Sequence, residues 1–380
     1  MSTATSGLAT RVAGGAMITA AVLAPLLAWL GPLGFAPLMA LVGLACLPAA
    51  RIGWREAPLV GLLGLALAWA LLSLLWSPSE GGETALKLAA QLVLYLAAWR
   101  AAARVPDAYR DRALRLFAWG FALYGALLMV EAMTGGVVYR TLRDLIGDPI
   151  RDDLARKNIA QGSFALALLW PLAAAGGVRA GAPVWLALPM AAGTALLAQV
   201  FLSDAPVLAV GLVIGVGALV WIWPRSAPRI FALGAAALVL LTPLIVMVAQ
   251  AMLAGRTLPV SWGQRVGYWM HAMERLSEHP WRGWGLEASR AFSPAIQLHP
   301  HNGALQAWLE LGMIGAGVLA LTWAFVFRRL AGDARDLVTC AAAGSAAVYL
   351  FFGMVSFGLW QEWWLALGAL AAMMAALAKR

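Results

Sequence analysis

Long apolar runs separated by short polar segments repeat along almost the whole chain. Runs of about 18 residues or more are long enough to cross a hydrocarbon core of roughly 30 Å as an α-helix. The pattern therefore predicts an all-α polytopic membrane protein with about twelve transmembrane helices, at 12–30, 33–50, 57–76, 84–103, 110–133, 158–177, 183–202, 205–223, 229–250, 301–326, 338–358 and 361–378.

Two polar segments are longer than the rest, at about 134–157 and at 251–300. A connection of roughly fifty residues between membrane helices is usually functional or forms a small domain. The chain is thus expected to hold helices one to nine within 1–250, a large loop at 251–300, and helices ten to twelve within 301–380.

Residues 261–278 of the large loop have helical periodicity. Their apolar side chains recur at helical spacing on one stripe, whereas Arg265 and other polar residues fall elsewhere. The pattern predicts an amphipathic helix that lies over the bundle at the membrane surface. Its apolar stripe consists of Trp262, Val266, Trp269, Met273 and Leu276.

Composition agrees with the membrane class and indicates an orientation. The chain is 62% hydrophobic and 12% charged, with a mean hydropathy of +0.80, unlike soluble domains. The net charge of +9 comes from dispersed basic residues, a pattern typical of cytoplasmic loops rather than of a nucleic-acid surface. The basic loops are 51–56, 100–112, 178–182, 224–229 and 328–335. The two long segments are then expected in the periplasm of a Gram-negative cell, outside its inner membrane.

A polar cluster, His299-Pro300-His301-Asn302, stands at the start of the predicted tenth helix. Imidazole is the side chain best suited to proton transfer near neutral pH. His301 is therefore the first candidate for a catalytic base, and His299 for substrate binding. A helix that begins here points free N–H groups and its positive dipole end at the cluster, which suits a phosphate or pyrophosphate.

Beyond Asn302, steps of four residues place Gln306 and Glu310 on one stripe of the predicted helix. A carboxylate inside a membrane span is a functional candidate because charge is costly there. One interpretation is that Asn302, Gln306 and Glu310 bind substrate. The alternative is hydrogen bonding between helices that only orients them.

Four basic residues are candidates for binding phosphate: Arg265, Arg282, Arg156 and Lys157. Arginine pairs with phosphate oxygens as a planar fork and keeps its charge at any working pH. Arg265 lies in the amphipathic segment, Arg282 lies in the turn at 280–285, and the other two directly precede the predicted sixth helix. The alternative is that these side chains snorkel or pair with nearby carboxylates.

No metal or other cofactor is expected. Asp152 and Asp153 offer two carboxylates, but no third ligand is evident beside them. Cys46 and Cys340 lie within apolar runs and form neither a zinc spacing nor a disulfide framework.

His301-Asn302, followed after nine residues by Gly312-x-x-Gly315, resembles the signature of the O-antigen ligase superfamily. That superfamily includes lipopolysaccharide O-antigen ligases, O-glycan ligases and related polysaccharide polymerases. The resemblance extends over about 150–365, where it includes the 265–269 segment and the Pro-x-x-Gly-x-Gly turn at 280–285. It implies a GT-C-like membrane glycosyltransferase that needs no metal.

The resemblance further implies a substrate pair and two site residues. A glycan is transferred from undecaprenyl pyrophosphate to an acceptor hydroxyl, with lipid A–core as the acceptor, at the periplasmic face. The catalytic histidine corresponds to His301 and the loop arginine to Arg265. One departure is at Asp204, because many members have Ser-Arg-Gly after the seventh helix where this chain has Ser203-Asp204-Ala205. One of the three other basic candidates is expected to replace that arginine.

Two further functions fit part of the pattern. A polymerase that joins lipid-linked repeat units uses nearly the same chemistry and differs only in its acceptor. A transporter of lipid-linked sugars is expected to bury charges through several spans and to have symmetric halves. Here the polar residues gather at one membrane face, which favours chemistry over transport.

Overall fold

The computed structural model describes residues 3–379, with side chains from residue 7 onward, and in that part the chain is helical without strands. Four short 3-10 segments, at Pro32–Gly34, Leu47–Ala49, Val184–Leu186 and Ala288–Phe292, join or extend the helices. The α-helices are α1 (Thr3–Leu30), α2 (Phe35–Cys46), α3 (Ala57–Ser73), α4 (Gly82–Ala102), α5 (Asp107–Thr134), α6 (Val137–Leu145), α7 (Asp152–Arg179), α8 (Ala187–Val200), α9 (Asp204–Ile222), α10 (Ala227–Leu240), α11 (Thr242–Leu253), α12 (Val260–Glu278), α13 (Gly303–Arg328), α14 (Leu337–Val355) and α15 (Glu362–Ala378).

Eight helices within residues 3–379 are long and apolar enough to cross a membrane, or nine spans if the bent pair α10–α11 counts as one. The chain is thus a polytopic helical membrane protein, as predicted. In the described part of the chain, three of the twelve predicted spans lack a helix long enough to cross the membrane. These three spans correspond to apolar helices of only 10–17 residues, α3, Val184–Val200 and α15, whereas a perpendicular span needs about 20.

The predicted span at 229–250 is wrong as a single helix. It is divided into α10 and α11, which are bent by 69° relative to each other. Pro243 lies in the first turn of α11, where its ring removes the backbone N–H that a continuous helix requires. After the bend, α11 departs from the path along α13 that α10 follows and approaches α12.

The segment 134–157 is largely helical rather than a loop, which corrects the prediction. Gly135 and Gly136, at φ 69° and 88°, reverse the chain between α5 and α6 in a conformation that favours glycine. Helix α7 begins at Asp152, six residues before the predicted start. Three acidic residues of the segment pair with its arginines: Arg140–Asp152, Arg143–Asp148 and Arg151–Asp153, at 2.6, 2.6 and 2.8 Å.

Small residues bring the membrane helices together. Where α5 crosses α8, an ideal Cβ on Gly125 would lie 2.2 Å from the carbonyl oxygen of Pro189. One on Gly193 would lie 2.1 Å from the carbonyl oxygen of Gly125. Close backbone approach of this kind provides the van der Waals contact that holds helices together in lipid, where apolar burial alone provides little.

The connecting segments form two groups, one at each end of the helical bundle. At one end the predicted basic loops meet, with Arg100 and Arg329 both 3.4 Å from Glu56 and Arg225 paired with Asp333. The other end, called the motif end here, holds residues 77–81, 279–302 and 356–361, which hydrogen-bond to one another. This sorting agrees with the alternation of loops that the charge pattern predicted.

Candidate functional site

Helix α13 is interrupted at Gly312, which has φ 65° and ψ −166°. The interruption leaves carbonyl and N–H groups without helical partners inside an apolar bundle, where an unpaired group is costly. The turn at 280–285 supplies the partners. Trp284 N–H and Gly285 N–H donate to the carbonyls of Leu309 and Glu310, at 2.9 and 2.7 Å.

The same turn also accepts hydrogen bonds from beyond the break. Met313 N–H donates to the Pro280 carbonyl at 2.9 Å, and Ile314 N–H lies 3.3 Å from that of Trp281. From α3, Trp69 Nε1 donates to the Leu311 carbonyl at 2.9 Å. The two glycine motifs of the sequence therefore contact each other through backbone hydrogen bonds, and this contact between the 280–285 turn and the Gly312 break is called the joint. It fixes the loop to the helix that carries the histidine cluster.

We expect Gly312→Ala to destabilise the protein by about 2–4 kcal/mol, since it combines a positive-φ conformation with a backbone clash. A Cβ at this position would lie 2.3 Å from the Trp281 carbonyl oxygen. Gly317→Ala on the same helix is the matched control, because a Cβ there meets nothing within 4 Å. Thermal unfolding in detergent measures both variants, and equal midpoints would contradict the joint.

The His299–Asn302 segment is held in one conformation from two sides. Trp269 Nε1 of α12 donates to the Pro300 carbonyl at 2.8 Å. His301 has φ 53°, a sparsely populated conformation for a residue with a Cβ. Asn302 then caps α13, with its side-chain oxygen accepting from Leu305 N–H at 2.9 Å. Helix α13 thus begins at Gly303, two residues after the predicted start at 301, and His301 lies directly outside the cap.

The hydrogen bonds of His301 define which ring nitrogen is available. Its Nδ1 lies 2.9 Å from the carbonyl oxygen of Ser356, at the carboxyl end of α14. A carbonyl oxygen only accepts, so Nδ1 carries the proton of the neutral ring and Nε2 keeps its lone pair. Burial and the charge of Arg265 lower the pKa of His301, and the Ser356 bond opposes this shift. The ring is therefore neutral near pH 7, as a general base requires.

The His299 side chain is buried and hydrogen-bonds to the backbone of His301. Its Nδ1 accepts a hydrogen bond from His301 N–H at 3.1 Å, so the neutral ring carries its proton on Nε2. That nitrogen lies 3.0 Å from the Gln361 side-chain amide. A donor there requires the amide oxygen of Gln361 as acceptor, and this orientation also gives a partner to an otherwise unpaired buried oxygen.

The charge state of His299 has a consequence for stability. Burial, His301 and Arg290 lower the pKa of His299 to about 3. Below about pH 6.5 this histidine takes up a proton in the unfolded chain but not in the folded chain. The free energy of unfolding is therefore unaffected by His299 above pH 6.5 and decreases as the pH falls from 6.5 toward 3.

We expect His299→Asn to flatten that dependence, because an amide does not titrate while its oxygen can still accept from His301 N–H. In the parent protein, the buried His299 lowers the free energy of unfolding by up to about 1.4 kcal/mol for each pH unit that the pH falls between 6.5 and 3. Thermal unfolding midpoints between pH 7 and 4.5 measure the slope. Identical slopes for the two proteins would mean that His299 is not a buried neutral group.

Helix α12 confirms the predicted amphipathic helix and brings Arg265 to the cluster. Tyr268 lies nearly parallel to the His301 ring, with centroids 6.1 Å apart and an interplanar angle of 16°. Trp269, the next residue, binds the Pro300 carbonyl. Arg265 is one turn earlier on this face, half-buried and over the Trp262 ring at 5.2 Å. Arg265 is therefore close enough to His301 for its charge to lower the pKa of that ring.

Gln306 and Glu310 lie on one stripe, as predicted, and are buried. Gln306 Nε2 donates to Glu310 Oε1 at 3.0 Å, and its oxygen accepts from Leu359 N–H at 2.8 Å. Glu310 also accepts from Trp360 Nε1 at 2.6 Å and lies 2.5 Å from Ser289 Oγ. These hydrogen bonds connect the large loop and the 356–361 segment to α13. They favour the interpretation that Gln306 and Glu310 orient these elements over the interpretation that they bind substrate.

Among residues 7–379, the recorded contacts of the other basic candidates do not involve the histidine pair. Arg282 is exposed and stacks over Trp76, 5.4 Å from the ring centroid. Arg156 and Lys157 are exposed on the first turns of α7, and the Arg156 guanidinium lies 5.8 Å from the Phe201 ring centroid. Phe201 is close to Asp204 in sequence, so Arg156 borders the turn where the resemblance lacks its arginine.

Sequence reasoning missed three residues of the site. Ser356 orients the base through its carbonyl, Gln361 contacts His299, and Arg290 is close enough for its charge to act on His299. Ser356 and Gln361 border a short break between two apolar runs, which gave no charge or motif signal. Arg290 lacks a recognisable motif, although its position in the large loop was visible.

Residues 185–320 match the family model described as O-antigen ligase. Curated relatives, all provisionally named as polysaccharide ligases, match shorter stretches. One from Rickettsia conorii is 28% identical over 119 residues, covering 27% of this chain and 29% of the relative. Those from Rickettsia bellii and Rickettsia prowazekii are 35% and 38% identical over 72 and 76 residues, 19% of this chain and 17% and 18% of the relatives.

These matches confirm the predicted resemblance to the O-antigen ligase superfamily. The family match contains Arg265, His301 and both glycine motifs. The aligned part spans less than a third of the length of each of these three relatives. No solved structure matches the chain significantly.

Proposed function

We propose that this chain is a membrane glycosyltransferase that moves a glycan from a lipid pyrophosphate to an acceptor hydroxyl. Its residues 185–320 are similar to the O-antigen ligase family. The single observation that carries the proposal is the state of His301. Its proton is held on Nδ1 by the Ser356 carbonyl, so its Nε2 lone pair is available as a base beside the Arg265 charge.

In the proposed reaction, Nε2 of His301 takes the proton of the acceptor hydroxyl while the hydroxyl oxygen attacks the anomeric carbon of the donor sugar. A new glycosidic C–O bond forms as the bond from that carbon to the pyrophosphate oxygen breaks. The lipid pyrophosphate leaves with the electron pair, and the proton on His301 passes to water. Holding both substrates beside the cluster contributes the proximity term.

Negative charge grows on the leaving pyrophosphate, and Arg265 is proposed to stabilise it. The α13 N-terminus adds its partial positive charge beside the Asn302 cap. Arg156 and Lys157 are proposed to attract the anionic donor from the surface of α7, since both are exposed there. No step of this scheme passes through a metal.

The finer parts of the proposal concern the substrates and the setting. The donor carrier is proposed to be undecaprenyl pyrophosphate and the acceptor lipid A–core. The motif end is proposed to face the periplasm from the inner membrane, in a GT-C-like arrangement. The opposite end carries the basic loops, and this charge bias supports the proposed orientation.

The decisive experiment incubates the purified chain in detergent with a lipid-pyrophosphate glycan and candidate acceptors. Formation of a new glycosidic bond on lipid A–core supports a ligase, as does the name of the Rickettsia relatives. Extension of one lipid-linked repeat unit by another would instead indicate the polymerase. A transporter forms no bond with any acceptor, and that outcome would refute the enzyme proposal.

A further inference from the structure

The connection between α14 and α15 contacts the histidine pair at three places. At its start, the Ser356 carbonyl oxygen lies 2.9 Å from His301 Nδ1. In its middle, Gly358 packs against the other ring, since an ideal Cβ on Gly358 would lie 2.8 Å from Cγ and Cδ2 of His299. At its end, the side-chain amide of Gln361 lies 3.0 Å from His299 Nε2. One short connection therefore contacts both histidines.

This connection is itself held in place by α13. The N–H of Leu359 donates to the side-chain oxygen of Gln306 at 2.8 Å, and Trp360 Nε1 donates to Glu310 at 2.6 Å. Both acceptors are buried, and they hydrogen-bond to each other at 3.0 Å. The backbone that carries the Gln361 side chain is thus fixed against the core of the bundle.

The recorded hydrogen bonds place the protons of the two histidines on opposite ring nitrogens. The backbone N–H of His301 only donates, so Nδ1 of His299 holds a lone pair and Nε2 carries the ring proton. On His301 the proton is on Nδ1, because the Ser356 carbonyl only accepts. The side-chain oxygen of Gln361 is then the acceptor for the Nε2 proton of His299.

The contact from His299 acts on a strained part of the backbone. His301 has φ 53°, a conformation that persists in a residue with a Cβ only where the surroundings hold it. The hydrogen bond to His299 holds the N–H of that same residue, and the hydrogen bond to Ser356 holds its ring. If the His299 proton moved to Nδ1, two donors would face each other and the hold on the backbone would be lost.

We propose that Gln361 is a positioning residue for the base. Its oxygen keeps the His299 proton on Nε2, and His299 in turn holds the His301 backbone so that Nε2 of His301 faces the acceptor hydroxyl. This inference rests on the proposed function. It gives a role to a residue that lies beyond the stretch 185–320 of the family match and outside the histidine–glycine motif. Gln361 acts only through His299.

The first measurement is ¹⁵N NMR of the full chain in detergent near pH 7, labelled at its four histidines. A protonated ring nitrogen and one with a lone pair give separate signals, and His299→Asn identifies which signals belong to His299. We expect the parent chain to carry the proton on Nε2 of His299 and on Nδ1 of His301. Gln361→Leu leaves a buried N–H without an acceptor, so the proton of His299 is expected to move in part to Nδ1.

The second measurement is a double-mutant cycle on glycan transfer. Gln361→Leu is expected to lower kcat on the order of tenfold and to leave KM within about twofold, because a misplaced base impairs the chemical step and not binding. In a chain that already has His299→Asn, the same change is expected to leave kcat unaltered. The asparagine oxygen accepts from the His301 N–H and has no ring proton for Gln361 to hold.

The matched control is Gln250→Leu, which is expected to alter neither the spectra nor the rate. Gln250 is a half-buried glutamine on α11 whose side-chain nitrogen has no hydrogen-bond partner among residues 7–379. Thermal unfolding midpoints measured alongside show that each variant is folded.

Three results overturn the role of Gln361: a His299 proton on Nδ1 in the parent chain, no loss of kcat in Gln361→Leu, or an equal loss with and without His299→Asn. With normal transfer by the parent chain, each of them leaves the proposed function intact. Absence of transfer by the parent chain refutes the proposed function, and the role of Gln361 in catalysis falls with it. The spectra do not depend on turnover, so they report the proton positions in either case.

Discussion

Replacing His301 with alanine is expected to lower glycan transfer by about a hundredfold to ten-thousandfold, the range that a general base contributes. The alanine variant loses the only group in the cluster with an available nitrogen lone pair. It loses one neutral hydrogen bond to Ser356, worth about 1 kcal/mol, so the bundle is expected to stay folded. Transfer assays in detergent, with thermal unfolding alongside, measure both effects.

Two further variants define the role of the ring. His301→Gln can still donate to the Ser356 carbonyl but has no basic nitrogen, so it is expected to be as inactive as the alanine variant. His271→Ala is the control, because His271 lies on α12 against Phe292 and outside the cluster. Full transfer by either His301 variant would refute the assignment of the base.

The pH dependence follows from the lowered pKa of His301. The base works when neutral, and a folded pKa below 6.5 keeps it neutral through the physiological range. Transfer by the parent chain is therefore expected to be level near pH 7 and to decline only as the pH falls below 6.5.

Replacing Arg265 with alanine is expected to have the second largest effect, a loss of transfer of about a hundredfold to a thousandfold, as for other groups that stabilise developing charge. It is also expected to change the pH profile. Arg265 lowers the pKa of His301, so its removal raises that pKa and moves the acidic decline to higher pH.

The lysine variant separates charge from geometry. Arg265→Lys keeps the positive charge, so the acidic decline is expected to stay near its original pH. It loses the planar fork for phosphate, so transfer is expected to fall between the parent and the alanine variant. An alanine variant with a normal rate and an unshifted profile would show that Arg265 is remote from the chemistry; Arg256→Ala controls for loss of surface charge.

Several features of the fold were predictable because their causes are local. The apolar runs marked every helix that enters the bundle, and the 3.6-residue period marked α12 and the stripe of Gln306 and Glu310. The break between α10 and α11 was missed although Pro243 was visible. Hydropathy averaged over a window detects length and composition, and it does not detect a missing N–H at one residue.

The role of buried polar residues was not predictable from their spacing. Glu310 has the position of a functional carboxylate, but its oxygens are engaged by Ser289, Trp360, Gln306 and the Glu287 backbone. Whether such a residue binds substrate or holds the fold depends on the segments that reach it. Those segments come from both sides of α13 in the chain.

By itself the sequence determined a polytopic helical membrane protein, a histidine at a helix start, and an arginine on an amphipathic helix in the preceding loop. Those properties depend on neighbouring residues and helical periods. Only the tertiary structure decided that His301 has a free Nε2 and that Gln361 contacts His299. The reason is distance along the chain, since Ser356 lies 55 residues from His301 and no local pattern records which carbonyl a folded helix bundle will present to an imidazole.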